Sequence, residues 1–395
     1  MDADENDALA GLAVTSQAMY AGTADEPQPD APLEQRLAWP LQVQADACEV
    51  MGSGLYAHLL RAAADDLLAG GPTREVLAPH AGRGRADALA LRLMAAVHRL
   101  VLAGEAPALA AHYPGVGGDG DPGAAWPRLR RLLAADPARV SALVARPLQT
   151  NEVGRCAPLL WGLLQVADAT GLPLRLLEVG TSAGLLLRID HYRYGGAGAA
   201  WGPADSPVDL DGFWAEPPPT GTDIEVEVVE RAGCDPAPVD PTTAEGLLSL
   251  RSAVWADQTR RLARLDGAVE VARRVPAEIT AASVEDWLPP RLAEPRAGVA
   301  TVVFHSVVEE YLDVAQRETL HETVRAAGAR ATAQAPVAWL RLEPISRLRR
   351  HALRVRLWPG EAAAADGGDA ADAADDGEVL AVCTGHGADV RRPDG

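Results

Sequence analysis

The sequence predicts an α/β fold: a mostly parallel sheet closed by a C-terminal antiparallel hairpin, preceded by an all-helical N-terminal domain. Three observations predict it. From residue 146 onward, short apolar runs alternate with helical stretches, and such alternation implies right-handed crossovers and a parallel sheet. Residues 33–145 instead carry Leu, Ala and Val at three- and four-residue spacings, with no parallel strand evident. Near the end, LRVRLWPG and EVLAVC read as two strands joined by a low-complexity acidic loop.

Residues 1–32 are acidic, Pro-containing and aperiodic, which is the composition of a mobile tail. LYAHLLRAAADDLLAG and DALALRLMAAVHRLVLAG carry the helical period, and Gly70-Gly71-Pro72 stops the first of them. Residues 113–126 are rich in Gly and Pro and read as a loop, after which WPRLRRLLAADPARVSALVA gives two short helices. RPLQTNEVGRCAPLLWGLLQVADATG reads as a helix capped by Thr150 or Asn151 and ended by Gly171. LRLLEV is short, apolar and bounded by Gly, as a buried parallel strand should be. GTSAG then turns into LLLRID, another helix. Further strands are expected at 224–230, 299–304 and 336–342, with helices around 243–274 and 307–327. The domains are therefore a tail (1–32), a helical domain (33–145) and an α/β domain (146–392), the last containing an acidic disordered loop (361–378).

The chain has 395 residues and a net charge of -19, and all 36 of its basic residues are Arg. Without Lys there is no Schiff base, so no lysine-anchored pyridoxal phosphate (PLP) chemistry, and neither a Walker A nor a kinase lysine. The four Cys are far apart with no C-x-x-C pair, which argues for reduced thiols, a cytoplasmic location and no metal site. The acidic N-terminus lacks the basic-then-apolar pattern of a signal peptide, and no run approaches the ~18 apolar residues of a membrane span. No membrane partner is expected. The acidity itself sits mainly in two segments: residues 1–35 hold eight acids and no base, and residues 361–378 hold seven acids and no base. The remaining chain is nearly neutral, so the case against a nucleic-acid partner rests on the absence of a basic motif. A small-molecule ligand is the expected partner, and nothing in the sequence fixes an oligomeric state.

The informative unit is LRLLEVGTSAGLLLRID, residues 174–190. A buried strand ends in Glu178, and a Gly-bounded turn then opens a helix. Gly180 permits a tight turn and Gly184 lets the helix start pack on the strand, leaving N–H groups for polar ligand edges. Glu178 is placed to accept from a ligand amine or ammonium. Ser182 stands where a dinucleotide fingerprint has its middle Gly, which argues against a pyrophosphate. This arrangement resembles motif I of class I S-adenosylmethionine methyltransferases, whose fold is Rossmann-like. A turn that merely packs a helix on a sheet would use the same glycines. The five residues Gly180 to Gly184 also fit G-x-S-x-G, the nucleophile elbow of α/β-hydrolases, with Ser182 as nucleophile and His305, His351 or His386 as partner. Against that, the upstream chain is helical and supplies no oxyanion loop.

Other candidates follow in chain order. Gln149, Thr150, Asn151, Glu152 and Arg155 form a polar cluster ahead of the motif strand; Gln149, Asn151 and Glu152 are candidate substrate or cofactor contacts. Asp235, in the turn after the next strand, is the candidate for ribose hydroxyls. ITAASVEDWL resembles the segment flanking adenine in methyltransferases, which places Ser283 at the cofactor. VATVVFHSVVEEYL is a buried strand whose exit, His305, is the candidate general base or substrate contact. Glu343, after the next strand, is a candidate for salt bridging or substrate contact.

Taken together, RPLQTNEVGR, LLEVGTSAGL, the WG...SPV segment, ERAGCDPAPVDPTT, VVFHSVVEEYL and WLRLEP resemble an uncharacterised bacterial family, DUF2332, over nearly the whole chain. That resemblance implies no established reaction. Against the family's pattern, Leu186 replaces an Asn, Glu309 and Glu310 replace a less acidic strand exit, and a final Trp is missing. The function expected is S-adenosylmethionine binding and methyl transfer to a small molecule or protein. The alternatives are a serine hydrolase at Ser182 and a non-catalytic binding protein on the same fold.

Overall fold

The computed structural model describes residues 26–28, 30–82, 88–345, 350–359 and 377–393. The two segments read as mobile, 1–32 and 361–378, lie outside the described residues apart from 26–28, 30–32 and 377–378. The chain divides into two compact units: one takes Gly22–Thr150 and Val239–Asp266, the other Asn151–Pro238 and Gly267–Gly395.

In the helical unit the described elements include α1 (Leu33–Val50), α2 (Gly54–Leu68), α3 (Pro72–Leu77), α4 (Leu89–Leu102), α5 (Pro107–Ala110), α6 (Pro122–Ala135) and α7 (Pro137–Val144). Their starts follow local chemistry. Asp121 accepts the backbone N–H groups of Gly123 and Ala124, Asp136 accepts that of Arg139, and each Asp precedes a Pro at the first helical position. The Ser53 hydroxyl does the same for the N–H of Tyr56 at the start of α2. Leu41, Leu59, Leu60, Leu67, Leu93 and Leu129 meet in one apolar core, which residues Trp255 and Ala256 complete.

The other unit is a seven-stranded sheet. Chain order gives β1 (Leu174–Val179), β2 (Arg193–Gly196), β3 (Ala199–Trp201), β4 (Asp209–Leu210), β5 (Val228–Asp235), β6 (Glu278–Ala281), β7 (Ala300–Ser306), β8 (Val337–Ile345), β9 (Arg350–Trp358) and β10 (Glu378–Thr384). The large sheet runs β10-β9-β8-β7-β1-β5-β6, and β3-β2-β4 form a separate small sheet in the insertion after β1. β6, β5, β1, β7 and β8 are parallel, while β9 is antiparallel to both β8 and β10. The expected α/β class and antiparallel C-terminal hairpin are therefore present. β1 is buried at every residue, as a central strand covered on both faces should be. On one face Leu177, Val179, Val303 and Trp339 pack on Trp287, Leu288, Leu320 and Val324. The other face carries α8 (Cys156–Thr170), whose Gly162 has no room for a Cβ beside Leu340. Of the remaining helices, α9 (Ala244–Ala253) belongs to the helical unit, α10 (Thr259–Arg274) has residues in both units, and α11 (Val284–Arg291) and α12 (Val314–Ala329) belong to the sheet unit.

Four elements depart from expectation, the first being the helix expected from Thr150 or Asn151, which starts at Cys156 after a 3-10 turn at Val153–Arg155. LLLRID forms a 3-10 segment, Leu185–His191, rather than an α-helix. Its residues 185–189 are all buried, so no amphipathic stripe favours a regular helix, and the Arg188 guanidinium turns back onto the Gly184 carbonyl. β5 starts at Val228 rather than 224, because its pairing with β1 begins at Leu174 and Val228. The helix expected from 307 starts at Val314, where Asp313 and Gln316 make a capping box. Residues 307–313 are a loop instead.

Candidate functional site

The turn after β1 is built by backbone strain and by β5. Gly180, Ser182 and Gly184 all have positive φ, at 71°, 52° and 68°. The N–H groups of Gly180 and Thr181 both donate to the Cys234 carbonyl, at 2.9 and 3.0 Å. The N–H of Ser182 donates to Asp235 Oδ2 at 3.0 Å, and Asp235 Oδ1 accepts from Ala237 N at 2.8 Å. The N–H of Leu185 donates to Asn151 Oδ1 at 2.9 Å. A carboxylate and a side-chain amide thus occupy donors that an anionic ligand would need. The two glycines also answer to packing: a Cβ on Gly180 would lie 2.4 Å from Val308 Cγ2, and one on Gly184 would lie 2.6 Å from Ile279 Cδ1.

Glu178 lies beneath this turn, 2% exposed, and accepts a hydrogen bond from the Thr181 hydroxyl. Burial pushes its carboxyl up to about 8, against the opposing pull of Thr181 and the Arg188 guanidinium. Burial likewise lowers Arg188, whose Nε donates to the Val275 carbonyl at 3.1 Å.

A second polar group closes the ends of β7 and β8. His305 is 0% exposed, and its Nδ1–H donates to Glu343 Oε1 at 2.7 Å. The same oxygen accepts the backbone N–H of Val308 at 3.1 Å. His305 Nε2 stands 3.8 Å from Glu309 Oε1, which also lies 3.3 Å from His321 Nε2. Burial works against the charged form of Glu309, yet the His321 hydrogen bond and the neighbouring His305 and Arg341 hold its carboxyl at about 2. Trp339 packs edge-on to His321 with ring centroids 4.9 Å apart. Four buried atoms of these residues have no hydrogen-bond partner: His305 Nε2, Ser306 Oγ, Trp339 Nε1 and Glu343 Oε2.

Register fixes how the two groups relate. Glu178 lies beside Phe304, so these share one face of the sheet. His305, the next residue, projects to the other face with Arg341, its partner on β8, and with Glu343. Glu178 and His305 therefore sit at one end of the sheet but on opposite faces. That end is where the chain order reverses: from β1 it passes to β5 and β6 on one side, then to β7 and β8 on the other. In open α/β sheets ligands bind in the crevice at such a point. Ser182 follows β1 and Val307 follows β7, and both are non-glycine residues at positive φ, Val307 at 57°. A β-branched residue in that conformation is strained, and such strain clusters at functional sites.

The remaining candidates fall as follows. Asn151 does not cap α8; it reaches Leu185 instead. Glu152 is buried, and its Oε1 accepts the N–H of Gly154 at 3.1 Å. Gln149 belongs to the helical unit. Ser283 starts α11, its hydroxyl donating to Asp286 Oδ2 at 2.9 Å, and the N–H of neighbouring Ala282 donates to the Asp235 carbonyl at 3.1 Å. Sequence reasoning missed Thr181, Arg188 and Val308. It noted Arg155 only as one of a cluster, yet Arg155 joins three segments, donating from Nε to the Gly385 carbonyl (3.2 Å) and from Nη1 to the Ser306 carbonyl (3.3 Å). Among the described residues, no group of three His, Cys, Asp or Glu is placed to hold a metal ion, and no helix is long and apolar enough to cross a membrane.

Comparison with known proteins adds one finding. No curated protein and no solved structure matches the chain. A family model does match, over residues 39–387, and covers most of the sequence. The chain belongs to that family, the uncharacterized proteins conserved in bacteria grouped as DUF2332.

Proposed function

We propose that this chain binds S-adenosylmethionine at the C-terminal ends of β1, β5 and β6 and transfers its methyl group to a small molecule or protein. The observation that carries the reading is the Gly180–Gly184 turn at the end of the central strand, bonded through Ser182 to Asp235 at the end of β5. The parallel strands in the order β6-β5-β1-β7-β8 put this turn at the reversal point.

The donor set suits this ligand. S-adenosylmethionine carries an ammonium and a sulfonium and no phosphate. The turn offers the Asp235 carboxylate and the Glu178 carboxyl, which gives up its proton to solvent when an ammonium arrives, and its Ser182 and Leu185 amides are already engaged. In this reading Asp235 takes the ribose hydroxyls with its remaining lone pairs. Glu178 takes the ammonium, and Ser283 borders the adenine. Asn151 and Glu152 hold the segment that closes over the turn. Bound cofactor supplies a methyl group already activated for transfer. The protein's task is then to align an acceptor with it and to exclude water. His305 works at one remove, orienting Glu343 and through it the loop 307–313.

Thermal unfolding of the purified chain with S-adenosylmethionine and S-adenosylhomocysteine tests the reading. A rise in Tm that continues with the logarithm of ligand concentration supports it. An unchanged Tm at millimolar ligand refutes it.

A further inference from the structure

The exit of β7 is one proton short of a hydrogen bond. The His305 ring is 0% exposed, its Nδ1–H is spent on Glu343 Oε1 at 2.7 Å, and its Nε2 has no partner. Glu309 Oε1 stands 3.8 Å from that Nε2, beyond hydrogen-bond reach, and 3.3 Å from Nε2 of His321 on α12. Glu309 is ionised, its carboxyl held at about 2, so a neutral His305 turns a lone pair toward a carboxylate. A proton added at Nε2 gives that carboxylate a donor. It also makes the ring a cation between two buried acids, Glu309 and Glu343. The His321 and Glu309 side chains are 21% and 18% exposed, which gives a solvent proton a way in. Three other charged groups surround the pair. Arg341 on β8 favours the ionised Glu309, Arg317 Nη2 on α12 donates to the Glu309 carbonyl at 2.7 Å, and Glu310 on the loop is driven toward its neutral form by burial. None of them bonds to His305 Nε2. The loop 307–313 depends on this corner. Val307 leaves β7 at a φ of 57°, and the Val308 N–H is tied to Glu343 Oε1 at 3.1 Å. Val308 in turn packs over Gly180 of the β1 turn. A bond from His305 to Glu309 adds a second tie one residue beyond the first.

We infer that His305 and Glu309 form a proton-operated latch: uptake of one proton at His305 Nε2 joins it to Glu309 Oε1 and fastens loop 307–313 to the end of β7, and loss of that proton frees the loop. The loop is therefore held more tightly as pH falls. The latch stands without the cofactor reading; only its consequence, that acid steadies the packing over the ligand turn, rests on that reading.

The test is hydrogen–deuterium exchange of the full chain between about pH 5 and 8, the range in which imidazoles titrate. It is read on peptides spanning 307–313, corrected for the intrinsic pH dependence of exchange and referred to an α2 peptide of the same sample. No ligand is added, so the outcome is independent of the cofactor reading. The loop should exchange about tenfold or more slowly at the acid end, one charge-assisted hydrogen bond being the difference. His321→Gln keeps a donor to Glu309 but removes that imidazole, and should leave the dependence in place. Glu309→Gln removes the charge that draws the proton and offers an NH2 to the neutral ring, and should flatten the profile. His305→Gln should flatten it too; Glu309→Gln, on the loop, serves where that buried variant fails to fold. Corrected exchange that does not slow as pH falls overturns the latch. So does a dependence that survives intact in Glu309→Gln, or one that disappears in His321→Gln.

Discussion

His305 and Glu343, 38 residues apart in sequence, form a buried pair in which the ring Nδ1–H donates to the carboxylate Oε1, with Nδ1 and Oε1 2.7 Å apart. Because the same oxygen accepts the Val308 N–H, the pair fixes the strand exit and the loop after it together. Glu343→Ala should therefore cost about 2–4 kcal/mol of stability, since two buried donors lose their acceptor. Glu343→Gln keeps an acceptor there and should cost less than half of that. Urea unfolding of both variants checks this; equal losses would mean that the Oε1 bonds contribute little.

Gly180 and Val308 make the second prediction. Gly180→Ala places a methyl group 2.4 Å from Val308 Cγ2 at a φ of 71°, and should destabilise by about 1–3 kcal/mol. Val308→Ala removes the obstacle but not the backbone strain. The double variant should accordingly be more stable than the sum of the two singles, by about 1 kcal/mol in a double-mutant cycle. Strict additivity would show that the turn does not carry the loop.

Glu178 predicts a pH dependence. Its folded pKa, about 8, is raised above the 4.5 of an unperturbed Glu, so the folded state holds its proton more tightly than the unfolded chain. The stability contributed by that proton is present in full below 4.5 and is lost as pH rises through 8. Glu178→Gln has no proton to lose. Its stability relative to wild type should rise steadily across that window, as read from denaturant midpoints at a series of pH values. A difference that stays flat with pH would contradict a protonated Glu178.

Val307 tests whether loop strain is functional. Val307→Gly relieves the positive φ of 57° while adding freedom to the unfolded chain. The two effects oppose each other, and stability should stay within about 1 kcal/mol of wild type. Ligand binding at the crevice should weaken, because Val308, which packs over Gly180 of the turn, is no longer held in place. A large loss of stability would show instead that the valine side chain is needed for packing.

Much of the sheet was legible because its strands are apolar throughout. LRLLEV needed no partner to be read as β1, and the apolar run ending in His305 gave β7 within a residue or two. Patterns misled where two signals competed. IEVEVVE alternates like a strand, but the β1 register, not the alternation, sets where β5 begins. Glu309 and Glu310 look like a first helical turn, yet Asp313 and Gln316 three residues apart carry the stronger start signal. Asn151 looked like a cap because its long-range partner, Leu185, lies 34 residues on. The pairing of His305 with Glu343 depends on the register of β7 against β8, which neither strand reveals alone. The Gly turn was found from sequence, whereas the reason for its glycines, Val308 and Ile279, was not.

The most direct measurement is isothermal titration of the wild-type chain with S-adenosylhomocysteine, repeated with Asp235→Ala. Binding at one site per chain, weakened at least tenfold in the variant, is the predicted result, since one charge-assisted hydrogen bond is worth about 1.5–3 kcal/mol. No heat from the wild type at millimolar ligand would contradict a cofactor site at the end of β1.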